Sequence, residues 1–131
     1  MKKIKVGILG ATGAAGLEFV RALYEHPWFE IEELYASERS VGKSLEEACS
    51  LDVSDMPDNI RRKKIYDISE TNPDLNLICS ALPSDVARVA EENCAKHTPV
   101  ISTTSAFRYE EDVPILITEI NAEHYKLLQL Q

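Results

Sequence analysis

The chain has 131 residues, of which 44% are hydrophobic, and these values are typical of one globular domain that buries a core, not of a disordered segment. Its formal charge of −8, from 14 basic and 22 acidic residues, would repel a nucleic-acid backbone unless the basic residues cluster. The one dense basic run, residues 61–64, leads into an apolar strand and is typical of a solvated strand edge, so we predict no nucleic-acid partner.

Two further features narrow the class of protein. No apolar run reaches the roughly 18 residues of a membrane helix, and the amino terminus leads into a glycine-interrupted strand, so we predict a cytoplasmic protein without membrane contact. The three cysteines, Cys49, Cys79 and Cys94, are too few and too irregularly spaced for a disulfide framework or a zinc site. We therefore expect free thiols and no metal.

Predicted strands and helices alternate along the chain. Apolar residues at helical spacing, Leu17, Val20 and Leu23, indicate the first helix, and a nearly continuous apolar run before Pro83 indicates a strand buried on both faces. In chain order the elements are strand Lys3–Leu9, helix Gly13–His26, strand Phe29–Ala36, helix Leu45–Ser50, strand Lys63–Ile68, strand Leu75–Leu82, a helix from Pro83, and a second buried strand, Pro99–Thr103.

In the helix that begins at Pro83, the residues Val86, Ala87, Ala90 and Cys94 share one predicted face, which we assign to the core. Because strand and helix alternate without repeats or low-complexity linkers, we predict an α/β fold. The expected architecture is a Rossmann-type, doubly wound, mostly parallel sheet with right-handed crossovers, in a single domain that spans residues 1–131.

A glycine-rich turn follows the first strand. Gly10, Gly13 and Gly16 form a GxxGxxG pattern at the first junction between strand and helix. Glycine there lets the backbone turn tightly and lets a pyrophosphate approach, and the helix amino terminus offers free N–H groups. A glycine triplet alone is weak evidence, but its position here predicts a dinucleotide-binding site.

The end of the second strand indicates which dinucleotide. The segment 37–43 contains two serines, Arg39 and Lys43, which together can satisfy a phosphate dianion, so we predict NADP. Glu38 is the contrary signal. If it points into the site it favours NAD, because an acid in this position grips the ribose hydroxyls, whereas beside Lys43 it would face water.

Several segments together resemble a known family. They are His26-Pro27-Trp28-Phe29-Glu30, Ala36-Ser37-Glu38-Arg39-Ser40, the run 80–87, and Ser105-Ala106-Phe107-Arg108 with Glu111-Asp112-Val113-Pro114. Over nearly its whole length the chain is similar to the amino-terminal domain of aspartate-semialdehyde dehydrogenases, the archaeal and fungal branch in particular. Malonyl-CoA reductases share much of the pattern. Thr103 and Thr104 depart from it, standing where the family often has asparagine or a small residue.

The resemblance implies NADPH-dependent reduction of β-aspartyl phosphate to aspartate semialdehyde, in amino-acid biosynthesis. It also implies roles for particular residues. Arg108 matches the arginine that holds the substrate phosphate, although the sequence alone would favour a surface residue paired with Glu110 or Glu111. The implied cofactor contacts are Gly10, Thr12, Gly13 and Ala14 at the pyrophosphate, Ser37, Arg39 and Ser40 at the 2′-phosphate, and Ser80, Ala81 and Leu82 lining the crevice.

The family's cysteine nucleophile would follow Glu119-Ile120-Asn121, and its histidine comes much later, so we expect no catalytic residue in this segment. Its parent would be an NADP-dependent, aldehyde-forming oxidoreductase that acts on a small acyl phosphate. The parent's catalytic and dimerisation domain would be absent here, and the full-length family commonly forms homo-oligomers. Two alternatives stay open, a malonyl-CoA reductase fragment and a non-catalytic NADPH-binding module.

Overall fold

The computed structural model describes residues 1–131. Five parallel strands form one sheet in the order β3-β2-β1-β4-β5. Their bounds are β1 Ile4–Leu9, β2 Phe29–Ala36, β3 Ile65–Asp67, β4 Leu77–Ser80 and β5 Val100–Ser102. The connection from β3 to β4 crosses the sheet, so the strand order reverses between β1 and β4, which creates the topological switch point where open α/β sheets bind ligands. The predicted Rossmann-type fold is confirmed.

Two longer helices and two single-turn helices lie between the strands, and a third single-turn helix follows β5. The bounds are α1 Ala14–Leu23, α2 Leu45–Ala48, α3 Asp58–Arg61, α4 Ser84–Ala95 and α5 Thr118–Asn121, with 3-10 segments at Glu38–Ser40 and Ala122–Leu130. Helix α2 begins at a capping box, in which Ser44 and Glu47 satisfy each other's backbone N–H groups. Helix α3 was not predicted, because one turn is too short to show a helical period.

The core lies on both faces of the sheet. One cluster includes Val6 and Ile8 of β1 with Leu17 of α1, and a second includes Leu9 of β1 with Ala87 of α4. Successive residues of β1 therefore serve opposite faces, as the strand period requires. Helices cover both sides, so the sheet is doubly wound.

Two burial predictions were wrong. Strand β5 was expected to be buried, but Ile101 is 55% exposed, because β5 is the edge strand and α4 covers only the face on which Val100 packs. In α4 the buried residues are Ala87, Ala90, Glu91 and Cys94, whereas Val86 is exposed. A carboxylate thus occupies the position that completes the helix's inner face.

The carboxyl-terminal segment is mostly exposed. After β5 the chain forms turns and short helices that leave many apolar side chains in solvent: Ile115, Leu116, Ile117, Ile120, Leu128 and Leu130. None of the helices has both the length and the apolar character needed to cross a bilayer.

The basic run at residues 61–64 is engaged locally. Arg61 forms ion pairs with Glu46 and Asp58, and the Lys63 ammonium donates to the Glu32 carbonyl. These contacts tie α3 to α2 and to β2, so the run has a structural role in this fold.

Candidate functional site

Gly10 ends β1 in a conformation that favours glycine. Its φ is +79°, and a Cβ at this position would lie 2.7 Å from the carbonyl oxygen of Ala81. The N–H groups of Gly10 and Ala11 both donate to the Tyr35 carbonyl. A side chain here would therefore be strained by its backbone and would collide with the chain that follows β4.

Gly16 lets helix α1 pack directly on the turn. A Cβ at Gly16 would lie 1.9 Å from the carbonyl oxygen of Gly10, a distance that no side chain can occupy. This is the close contact between helix and turn that the third glycine of such a pattern permits.

Gly13 has a different environment. Its backbone is ordinarily extended, with φ −87°, and the nearest atom to a Cβ would be 3.7 Å away. It is the N-cap residue of α1 and offers no side chain to cap the helix, so the first-turn N–H groups, beginning with Ala14, are open to a ligand. The backbone conformation therefore does not require glycine here, and the absent side chain leaves the helix end accessible.

A cavity of ≈ 460 Å³ adjoins the turn. Five of the predicted cofactor residues line it together with three further ones: Thr12, Gly13, Ser37, Arg39 and Ser40, then Lys43, Ala48 and Ser50. Glu38 is exposed and is not part of the lining. The sequence indicated Lys43 as a phosphate ligand, but Ala48 and Ser50 were missed because they join the cavity only when α2 folds back beside the turn.

The cavity carries uncompensated positive charge. Neither Arg39 nor Lys43 forms an ion pair with a carboxylate, although seven such pairs form elsewhere in the chain. Two free cations and the hydroxyls of Ser37, Ser40 and Ser50 provide the donors that a phosphate dianion requires.

Strand β4 ends next to Gly10 at the switch point. Ser80 is fully buried and its hydroxyl has no hydrogen-bond partner, which is costly unless a ligand satisfies it. Ala81 is half-buried and its N–H donates to the Leu9 carbonyl. The Leu82 side chain packs in the core with Ala87, so only its backbone can face the crevice.

Arg108 lies in the loop after β5, outside the cavity that Arg39 lines. Its Nη2 is 3.4 Å from the carbonyl oxygens of Thr103 and Thr104, and it forms no ion pair. Glu110 instead pairs with Arg88, at 3.0 Å. The alternative in which Arg108 is neutralised by a neighbouring acid is therefore not the arrangement in this structure.

The three cysteines are free thiols in two kinds of environment. Cys79 and Cys94 are buried, as predicted for core residues, and burial raises the pKa of the Cys79 thiol to about 11 and also raises the pKa of Cys94. Cys49 is half-buried under the glycine turn, where its Sγ donates to the Thr12 carbonyl at 3.3 Å. No group of three or more histidine, cysteine or acidic side chains is placed to hold a metal ion.

Comparisons with known proteins agree with this fold. Residues 5–128 match the family model described as semialdehyde dehydrogenase, NAD binding domain. The chain is 42% identical over 131 residues to the aspartate-semialdehyde dehydrogenase of Archaeoglobus fulgidus, covering 98% of this chain and 38% of that protein. It is 35% identical over 136 residues to the malonyl CoA reductase (NADP) of Metallosphaera sedula, covering 99% of this chain and 37% of the reductase.

A solved structure is similar in fold as well as in sequence. The crystal structure of aspartate-semialdehyde dehydrogenase with NADP from Candida albicans superimposes with a TM-score of 0.90 at 33% identity, covering 95% of this chain and 36% of that one. The chain thus spans less than two-fifths of the length of these relatives.

Proposed function

Because the chain belongs to the semialdehyde dehydrogenase family, whose NAD-binding domain it matches, we propose that it is the NADP-binding portion of an aspartate-semialdehyde dehydrogenase. The observation that carries the proposal is the cavity beside the glycine turn, which Arg39 and Lys43 line without a neutralising acid. The oxidoreductase would convert β-aspartyl phosphate to aspartate semialdehyde, and bound NADPH would supply the hydride.

We assign the pyrophosphate to the turn after β1. Gly10 and Gly13 present backbone without side chains, and Thr12 and Ala14 flank the open helix end. The partial positive charge of the α1 amino terminus favours an anion there. The turn fits the group, because a Cβ at Gly13 would stand in the open space that the ligand requires.

We assign the 2′-phosphate to the cavity. The Arg39 guanidinium supplies a planar pair of donors, Lys43 adds a second charge, and Ser37 and Ser40 supply hydroxyls. The exposed position of Glu38, outside the lining, supports NADP over NAD, because an NAD-type site needs an acid that faces the ribose.

We assign the rest of the dinucleotide to the crevice at the end of β4. The backbone of Ala81 and Leu82 would line the crevice. The unpartnered Ser80 hydroxyl is fully buried, so it would donate to the ligand only if the chain around it shifts on binding. Arg108 would hold the substrate phosphate, a role supported by its guanidinium, which forms no ion pair and contacts only backbone carbonyls through Nη2.

Calorimetric titration of the 131-residue chain with NADPH and with NADH tests the cofactor assignment. We expect NADPH to bind more tightly by about 1.5–3 kcal/mol, the range for hydrogen bonds to charged groups. Equal affinities would contradict the preference for NADP, and failure to bind either dinucleotide would contradict the whole proposal.

We propose that no thiol within these residues is the nucleophile. Cys79 and Cys94 are buried thiols whose pKa is raised by burial, so they are poor nucleophiles. The Cys49 thiol is half-buried under the glycine turn and donates to the Thr12 carbonyl. The purified chain should therefore bind NADPH without phosphate-dependent oxidation of aspartate semialdehyde. Turnover that is lost on alkylation of the cysteines would contradict this assignment.

A malonyl-CoA reductase is the second candidate, favoured by the 35% identity to the Metallosphaera sedula enzyme. The gene product that contains this chain should be assayed with β-aspartyl phosphate and with malonyl-CoA, each with NADPH. Turnover of malonyl-CoA alone would overturn the first assignment, and turnover of neither by a folded, NADPH-binding protein would favour a non-catalytic module. Location in the cytoplasm and assembly of the whole protein into a homo-oligomer stay predictions, which cell fractionation and sedimentation would test.

A further inference from the structure

A buried carboxylate lies beneath the segment that carries Arg108. Glu91 of α4 is only 3% exposed and forms no ion pair with a cation. Its Oε1 accepts hydrogen bonds from two hydroxyls, those of Ser102 at 2.5 Å and Thr104 at 2.7 Å. The carboxylate therefore joins α4 to the end of β5 and to the residues that follow, which we name the 102–108 loop.

The same hydroxyls hold the backbone of this loop. The Thr104 N–H donates to the Ser102 Oγ at 2.9 Å, and the Ala106 N–H donates to the Thr104 Oγ1 at 3.4 Å. A chain of hydrogen bonds thus runs from the Glu91 carboxylate to the backbone two residues before Arg108. Loss of the carboxylate would leave the two hydroxyl groups without their acceptor, and the hydroxyl oxygens that accept from the Thr104 and Ala106 N–H groups would no longer be held in place.

A second side chain of α4, Arg88, also contacts the 102–108 loop. Arg88, one turn before Glu91, donates to the Ala106 carbonyl at 2.7 Å, and its guanidinium lies 4.6 Å from the centre of the Phe107 ring. The charge of Arg88 is balanced by Glu110, whereas the Arg108 guanidinium has no carboxylate partner and contacts only the Thr103 and Thr104 carbonyls. Arg88 of α4 therefore attaches the loop to the helix, while Arg108 of the loop has no carboxylate partner.

Stability alone does not account for Glu91. Burying a carboxylate without a cation costs several kcal/mol, and an apolar residue of similar size would pack at this position of the helix without that cost. The buried carboxylate provides an acceptor that can bind two hydroxyl groups at once, which an apolar side chain cannot do.

We propose that Glu91 is a positioning residue, which fixes the 102–108 loop so that the Arg108 guanidinium is held at the carboxyl end of the sheet, ready for an anionic group. The proposal rests on the proposed function only in the identity of that group, the substrate phosphate. The hydrogen bonds that fix the loop involve only Glu91, Ser102 and Thr104, and they do not depend on the proposed function.

The test compares three variants of the chain. Glu91→Leu removes the acceptor, Glu91→Gln keeps a carbonyl oxygen in its place, and Glu92→Gln changes the exposed neighbouring carboxylate as a matched control. Hydrogen exchange of the Thr104 and Ala106 amides, followed by NMR, reports the loop. Titration with inorganic phosphate, with NADPH present to occupy the cavity of Arg39 and Lys43, reports Arg108. NADPH affinity reports the site on β1 and β2.

In Glu91→Leu we expect the two amides to exchange about ten-fold faster or more, as the loss of a charge-assisted hydrogen bond implies. Phosphate affinity should fall about three- to ten-fold, the cost of ordering a long side chain on binding. NADPH affinity should stay within about two-fold, because the contacts assigned to its pyrophosphate and 2′-phosphate lie at the glycine turn and the Arg39 cavity, outside this loop. Glu91→Gln should restore most of both losses, and Glu92→Gln should behave as the unchanged chain.

Unchanged exchange in a folded Glu91→Leu chain would overturn the proposal, as would a parallel loss of NADPH affinity, which would mean general damage to packing. If Glu91→Leu does not fold, Thr104→Val breaks the same chain of hydrogen bonds from the loop side and must give the same local acceleration. Failure of the unchanged chain to bind phosphate, with the exchange results as expected, would refute only the role of Arg108 in the proposed function.

Discussion

The glycine turn and the cavity beside it adjoin, but they constrain their residues differently. A Cβ at Gly16 would meet the Gly10 carbonyl oxygen at 1.9 Å, so this residue is dictated by contacts within the chain. The Arg39 and Lys43 side chains instead face open space and pair with no acid, so the fold does not require them. Substitutions in the turn should therefore alter stability, and substitutions in the cavity wall should alter only binding.

The largest effect should come from Gly16→Ala. In most helices this change stabilises by lowering the entropy of the unfolded chain, but here the new methyl group collides with a backbone atom that cannot move independently. We expect the free energy of unfolding to fall by about 3 kcal/mol or more, measured by urea denaturation. A variant as stable as the unchanged chain would show that the turn is looser than this packing requires.

Two other glycines serve as matched controls for that experiment. Gly42 has φ +85° but nothing within 4 Å of a Cβ, so Gly42→Ala should cost only the backbone strain, about 1 kcal/mol. Gly13 has neither strain nor a close neighbour, so Gly13→Ala should cost no more than about 1 kcal/mol, through the weaker N-cap.

Gly13 belongs both to the glycine turn and to the lining of the cavity, so Gly13→Val tests whether a substitution there alters binding without altering stability. The branched side chain should leave the fold largely intact but occupy the approach to the first turn of α1. We expect NADPH affinity to fall by about 3 kcal/mol, the cost of severe overpacking, in calorimetric titration. Micromolar binding retained by a folded variant would move the pyrophosphate away from this turn.

Arg39→Ala should affect the cavity alone. Removing the guanidinium should weaken NADPH binding by about 1.5–3 kcal/mol, the range for hydrogen bonds to charged groups, and should leave NADH binding and the urea midpoint nearly unchanged. Equal losses for both dinucleotides would place Arg39 on a part of the ligand that the two share. Lys43→Ala is the companion variant, and it should lose less because an ammonium cannot make the paired contact.

The same division explains what could be predicted from the sequence. Strand β2 was predicted with its observed bounds, and the glycine turn was recognised. In both segments the residues that the local pattern favours are also those that the packing of the folded chain requires. Ser50 was missed because nothing near it in sequence marks a cavity wall. The exposure of Ile101 and the burial of Glu91 were missed for a related reason, since a helical or strand period shows which residues share a face but not what covers that face.

Glu38 gives the smallest expected effect and the sharpest test of cofactor choice. Its side chain is exposed beside the cavity and forms no ion pair, so Glu38→Gln removes one solvent-screened charge near the 2′-phosphate site. NADPH affinity should rise by no more than about 0.5 kcal/mol, and this gain should shrink as salt is added. NADH affinity should not change, because on this geometry the carboxylate does not reach the ribose. A loss of NADH affinity by about 1.5 kcal/mol or more would mean that Glu38 turns inward to hold the ribose hydroxyls, and the site would then accept both dinucleotides.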